Sequence, residues 1–146
     1  MLIDTHSHLF LEEFSDDLPQ VMERARQAGV SRIYMPNIDS TTIESMLSVC
    51  ADYPDFCYPM IGLHPTSVNE SYRQELSIVR ERLEAPNNFV AIGEIGLDLY
   101  WDKTFLNEHR DLSRILFQGR SKCLPNLPKY PAFPSWQSLL LPWLFL

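Results

Sequence analysis

The stretch IDTHSH, residues 3–8, decides the fold because its chemistry requires extended backbone. Its apolar and β-branched residues favour a strand, and a strand turns alternate side chains to one face. Asp4, His6 and His8 then share a side, whereas on a helix they would diverge. The sequence predicts a strand over Leu2–His6 whose end presents two imidazoles to one cation, the alternative being two polar histidines at a strand end.

Length and composition indicate one globular domain. The 146 residues are 45% hydrophobic, which is enough for one sizeable core. Three cysteines, Cys50, Cys57 and Cys123, are an odd number without framework spacing, so each is most simply a small buried hydrophobe in a reducing compartment. The start lacks a secretory signal, and the closing LLLPWLFL is too short to span a bilayer. We therefore expect a cytoplasmic protein without membrane contact.

The formal charge of -7 is unevenly distributed along the chain. Residues 1–108 hold 18 acids and 7 bases, whereas residues 109–146 hold 5 bases and only Asp111. The acidic part lacks the basic stripe that nucleic-acid binders usually show. Any phosphate substrate would therefore need metal ions to offset this charge.

Short apolar runs alternate with segments of helical period through residues 1–108, which is typical of βαβ units and a parallel sheet. The predicted strands are Leu2–His6, Arg32–Met35, Tyr58–Leu63 and Phe89–Glu94. Three helices are predicted between these strands. The first follows Ser15 and Asp16 and ends at Gly29, and the second begins with a Thr41/Glu44 capping box and ends before Pro54. The third runs from Tyr72 to Leu83. Their apolar stripes are predicted to pack on the sheet.

Polar residues follow the carboxyl ends of these strands, where ligands gather in parallel α/β proteins. His6 and His8 end the first strand, Asp39 follows the second, His64 closes the third and Glu94 closes the fourth. Asp39 could instead cap the second helix, and His64, before a proline, could order its own loop. The sequence thus predicts one site at this edge of the sheet.

Glu94 carries the strongest single signal. It follows the apolar run VAIG, so its carboxylate would sit deep at a strand terminus and need a cation or strong hydrogen bonds. Gly93 and Gly96 leave room for a ligand or backbone to approach closely. Asp98 could orient a ligand or cap a turn, and the sequence leaves both open.

The motifs DTHSH, GLHP and GEIGLDLYWDKTFLNE, in this order, resemble the TatD-like metal-dependent DNases of the amidohydrolase superfamily over residues 1–108. The resemblance implies a TIM-type (β/α) barrel with two divalent cations, of the Mg or Zn type, that hydrolyses phosphodiester bonds of DNA, often from the 3' end. By position, it implies that His6 and His8 bind the first metal and that Glu94, the catalytic carboxylate, bridges both. It makes His64 and Asp98 near-site residues.

The chain departs from the family after residue 108. A barrel of this type typically needs about 250 residues, and four βα units are visible. The family's further ligands, two histidines and an aspartate, have no equivalents in this sequence. Residues 109–146 include a proline-rich, apolar stretch without strand or helix period. We expect this segment to be a non-matching tail, out-of-frame or poorly ordered, the alternative being a divergent natural tail.

Three functional hypotheses follow from these observations. The chain could be a hydrolase that retains partial chemistry by pairing two half-barrels. It could be a catalytically dead fragment whose exposed sheet edges favour self-association. It could also be an amidohydrolase-type enzyme acting on amides or lactones, because the scaffold does not fix the substrate. For the 146-residue polypeptide itself, we expect weak binding of divalent metal and negligible hydrolysis of DNA.

Overall fold

A computed structural model describes residues 2–97, 104–108, 110, 111 and 115. Strands and helices alternate along this part of the chain. The strands are β1 (Leu2–Asp4), β2 (Val30–Pro36), β3 (Cys57–Ile61) and β4 (Ala91–Ile92), and the helices are α1 (Leu18–Gln27), α2 (Ile43–Asp52) and α3 (Tyr72–Glu84).

The four strands form one parallel sheet in the order β1-β2-β3-β4. Ile3 aligns with Arg32, and Met60 aligns with Ala91. One helix separates each strand from the next, which is the arrangement of successive βα units in a TIM-type barrel. The prediction of a parallel sheet built from βαβ units is confirmed.

Strand ends differ from the predicted ones where side chains or loops take over backbone hydrogen bonds. β1 stops at Asp4 rather than His6, because the Asp4 carboxylate accepts the backbone N–H of His6 at 3.0 Å. β4 contains only Ala91 and Ile92 instead of the predicted Phe89–Glu94. The two histidines His6 and His8, like Glu94, therefore lie in loops just beyond the strand ends.

The helices pack on the sheet through the predicted apolar stripes. In α1, Met22 is fully buried, and its stripe neighbours Leu18, Val21 and Ala25 are partly buried against the core. The buried faces of the other two helices are Ile43, Met46, Val49 and Cys50 in α2 and Tyr72, Leu76, Val79 and Leu83 in α3. The predicted stripe of α2 contained Leu47, which is partly buried, in place of Val49. The sheet contributes buried residues such as Ile33, Met35 and Ile61. This core fixes the edge from which the loops emerge.

The start of α2 differs from its prediction. The capping box is formed by Asp39 and Thr42, not by Thr41 and Glu44, and it caps a short 3-10 turn, Ser40–Thr42, that leads into α2. The Asp39 carboxylate accepts the Thr41 N–H at 3.0 Å, and the Thr42 hydroxyl accepts the Asp39 N–H at 3.2 Å. Glu44 pairs instead with Arg82 of α3 at 2.5 Å. Asp39 therefore serves the capping role that the sequence left open.

Two predictions concern residues for which the structure gives no account. Asp98 lies outside the described residues. So do residues 109–146, apart from 110, 111 and 115. The domain boundary at residue 108 and the nature of the tail stay predictions. Within the described part of the chain, none of the helices combines the length and apolar character needed to cross a membrane.

Candidate metal centre

Three histidine side chains from two loops meet around the carboxylate of Glu94, which lies in a third loop. His6 Nε2 lies 3.1 Å and His8 Nε2 lies 3.5 Å from Glu94 Oε2. His64 Nε2 lies 3.2 Å from the other oxygen, Oε1. The structure thus brings His6, His8 and His64 together with Glu94. Asp39, the other candidate at a strand end, caps the turn before α2 instead.

The loop after β1 holds its two histidines from the neighbouring strand β2. The Ser7 N–H donates to the Tyr34 carbonyl at 3.1 Å. His8 Nδ1 lies 3.0 Å from the Pro36 carbonyl oxygen. A carbonyl oxygen only accepts, so His8 Nδ1 carries the proton and Nε2 keeps its lone pair. His8 therefore presents a metal-binding nitrogen toward Glu94.

Asn37 and Gly62 position the backbone of Glu94, and sequence analysis missed both. The Asn37 side chain is fully buried; its Oδ1 accepts the Gly62 N–H at 2.7 Å, and its Nδ2 donates to the Asp39 carbonyl at 3.0 Å. The Glu94 N–H donates to the Asn37 carbonyl at 3.4 Å. A Cβ atom on Gly62 would lie 2.7 Å from the Gly93 carbonyl carbon and 2.8 Å from the Glu94 nitrogen. Only glycine permits this approach.

Glu94 is ionised despite its burial. Its side chain is 22% exposed, and Oε2 is buried without a hydrogen-bond partner of acceptable geometry among the described residues. Burial raises the pKa of Glu94, but the neighbouring imidazoles of His64, His8 and His6 lower it to about 2. At neutral pH the centre therefore offers a partly buried carboxylate oxygen that needs a cation or donor.

His6, His8 and Glu94 form a group that could hold one metal ion. His6 Nε2 and His8 Nε2 lie 3.1 Å apart, and two imidazole nitrogens this close need a proton or cation between them. Metal–ligand bonds of about 2.1 Å at tetrahedral angles separate neighbouring ligand atoms by about 3.4 Å. The observed separations of 3.1 to 3.5 Å among the three atoms fit such a triangle.

Comparisons with known proteins point to one family. The family model for TatD-related DNases matches residues 3–116. An uncharacterized metal-dependent hydrolase of Bacillus subtilis, YabD, is 38% identical over 120 residues, covering 82% of this chain and 45% of the relative. The 3'-5' ssDNA/RNA exonuclease TatD of Erwinia tasmaniensis is 29% identical over 147 residues, covering 98% and 56%.

A solved structure supports the same relationship. The TatD homologue YjjV of Escherichia coli K12 superposes with a TM-score of 0.65 at 32% identity, covering 80% of this chain and 45% of that chain. The four parallel strands and their helices therefore form half of a TIM-type barrel, as predicted. The chain spans about half the length of these relatives.

Proposed function

Because this chain belongs to the family of TatD-related DNases, we propose that its metal centre is part of the active site of a metal-dependent hydrolase that cleaves phosphodiester bonds of DNA. His6 and His8 would hold one divalent cation, and Glu94 would supply the carboxylate ligand that the family resemblance assigns to both of its metals. The observation that carries the proposal is the convergence of His6 Nε2 and His8 Nε2 on the buried, unsatisfied Glu94 Oε2, at 3.1 and 3.5 Å.

The donor set favours a cation that accepts both nitrogen and oxygen ligands. Imidazole suits Zn²⁺ and related transition metals, whereas Mg²⁺ prefers oxygen. Within the Mg or Zn type that the family resemblance implies, the pair His6 and His8 favours Zn²⁺ at this position. A divalent ion supplies water activation near neutral pH and charge neutralisation at the attacked phosphate.

The side chains around this position have separate tasks. His8 keeps its Nε2 lone pair directed at the cation position through its Nδ1 contact with Pro36. Glu94 stays anionic above pH 4, because its pKa is about 2. The carboxylate therefore binds cations and repels unneutralised phosphate, so substrate binding depends on metal loading.

We propose single-stranded DNA with a free 3' end as the substrate. The support is the Erwinia tasmaniensis relative, a 3'-5' ssDNA/RNA exonuclease. The net charge of -7 makes a cation requirement for any nucleic-acid substrate strong. We place the protein in the cytoplasm, which agrees with the free, buried Cys50 and Cys57.

For the 146-residue polypeptide alone, we expect weak metal binding and negligible cleavage. Among the described residues, His6, His8 and Glu94 are the one group of three that could hold an ion. Groups that act together in hydrolysis are lost non-additively, so an incomplete set costs orders of magnitude in rate. Self-association through the outer edges of β1 and β4, which would pair two half-barrels, stays a prediction.

The test combines Zn²⁺ titration calorimetry with cleavage of a 5'-labelled single-stranded oligonucleotide. We expect Glu94→Gln and His6→Ala to weaken Zn²⁺ binding at least about tenfold. Glu70→Gln is the matched control, because Glu70 is an exposed acid that does not belong to the group of His6, His8 and Glu94. Zn²⁺ binding that is equal in Glu94→Gln and Glu70→Gln would refute the metal centre. Metal-dependent cleavage by the chain, abolished by Glu94→Gln, would refute the expected inactivity and support a pair of half-barrels.

A further inference from the structure

His8 and His64 face the same carboxylate, yet their backbone contacts fix opposite tautomers. His64 Nδ1 lies 3.1 Å from the Thr66 backbone nitrogen and 2.7 Å from the Thr66 hydroxyl oxygen. A backbone N–H only donates, so His64 Nδ1 must accept and the ring proton is on Nε2. In His8, by contrast, the Pro36 carbonyl places the proton on Nδ1.

The consequence is that His64 Nε2 is a donor rather than a metal ligand. His64 Nε2 lies 3.2 Å from Glu94 Oε1. Because this nitrogen carries the ring proton, it has no lone pair available for a cation. We propose that His64 is a positioning residue: it donates Nε2–H to Glu94 Oε1 and so directs Oε2 toward His6 and His8, without binding the cation itself. This inference rests on the metal centre proposed above.

The fold makes His64 a rigid donor. The His64 backbone N–H donates to the Ile38 carbonyl at 2.7 Å, and a short helical turn over Pro65–Ser67 follows directly, with its Thr66 N–H held by the imidazole. The terminal torsion of a glutamate is broad, so a fixed donor on one oxygen sets the orientation of the carboxylate plane and leaves the other oxygen facing the histidine pair. Residues that orient metal ligands in this way typically contribute about 10- to 100-fold to affinity.

The tautomers are tested directly by long-range ¹H–¹⁵N correlation spectra of the metal-free, ¹⁵N-histidine-labelled chain at neutral pH. Single His→Gln variants assign the signals. We expect the unprotonated nitrogen to be Nδ1 in His64 and Nε2 in His8. A His64 ring with its proton on Nδ1 would overturn the inference. On addition of Zn²⁺, the Nε2 signal of His8 should shift as a ligand does, and a ligand-type shift of His64 Nε2 would likewise overturn it.

Zn²⁺ titration calorimetry supplies the second test. The amide of glutamine can replace an Nε2–H donor but is a poor metal ligand, so His64→Gln should bind Zn²⁺ within about threefold of the parent, whereas His64→Ala should bind about tenfold more weakly. If His64→Gln loses as much Zn²⁺ affinity as His8→Gln, His64 is a ligand and not a positioning residue. If His64→Ala binds Zn²⁺ as tightly as the parent, His64 has no positioning role. Parental affinity in His8→Gln would instead count against the proposed metal centre. The tautomer measurement stands independently of that result.

Discussion

Gly62→Ala should disturb the metal centre through backbone contact alone. The new Cβ would lie 2.7 Å from the Gly93 carbonyl carbon, whereas carbon atoms in contact are ordinarily about 3.5 Å apart, so the two segments must separate by about 0.8 Å. Metal–ligand distances tolerate only about 0.2 Å. We therefore expect Zn²⁺ binding to weaken at least about tenfold. Overpacking against backbone should also lower the free energy of unfolding by about 2 kcal/mol.

Gly29→Ala is the control that separates lost stability from lost geometry. Gly29 has φ +85°, and nothing lies within 4 Å of an added Cβ. The substitution should cost about 1 kcal/mol of stability through backbone strain and leave Zn²⁺ affinity unchanged. Calorimetric titration with Zn²⁺ and urea unfolding of both variants decide the matter. Parental Zn²⁺ affinity in Gly62→Ala, or an equal loss in both variants, would refute the reasoning.

Three further expectations concern the core and the tail. Asn37→Ala should lower the free energy of unfolding by about 2 kcal/mol or more, measured in urea, because it leaves buried backbone groups unpaired. Burial raises the pKa of Cys50 to about 12 and of Cys57 to about 11, so in a Cys123→Ser background both thiols should resist a disulfide reagent at pH 8 until the chain unfolds. Because the folded state holds these protons more tightly, the contribution of the two thiols to stability should be constant well below pH 9 and fall as the pH rises from 9 toward 11. Deleting residues 112–146 removes Ile115, which packs partly buried against the core, but should lower the thermal unfolding midpoint only slightly, because prolines and the lack of apolar period argue against packing of the rest of that segment.

Each expectation has an outcome that contradicts it. Asn88→Ala, at an exposed position, is the control for Asn37→Ala. Equal free energies of unfolding in the two variants would show that the buried Asn37 amide does not stabilise the fold. Fast labelling of Cys50 and Cys57 in the folded chain would show that the core opens readily. A large drop in the unfolding midpoint after the deletion would make the tail an integral part of the fold.

Residue spacing was sufficient to predict the order and type of the elements. The stripe Tyr72, Leu76, Val79 and Leu83 repeats with helical period, and all four side chains are buried in α3. Parallel strands bring their carboxyl ends to one edge, so polar residues after three different strands could be expected to meet. His6, His8, His64 and Glu94 do meet there.

Other features depend on partners that spacing does not identify. The end of β1 is set by the Asp4 carboxylate, which competes with the sheet for the His6 N–H. Asn37 and Gly62 act because β2, β3 and the segment after β4 approach closely in space. The sequence did show an asparagine directly after a strand and a glycine within GLHP, which are the signals that could have identified both residues.

The sheet order also determines when the centre can form during synthesis. Every pairing joins strands that are neighbours in the chain, so β1, β2 and β3 can assemble in the order in which a ribosome releases them. Glu94 emerges last, after the histidines of the first loop and His64. A nascent chain therefore presents its imidazoles before their carboxylate partner exists. Completion of the cluster then marks the moment at which the fourth strand has joined the sheet.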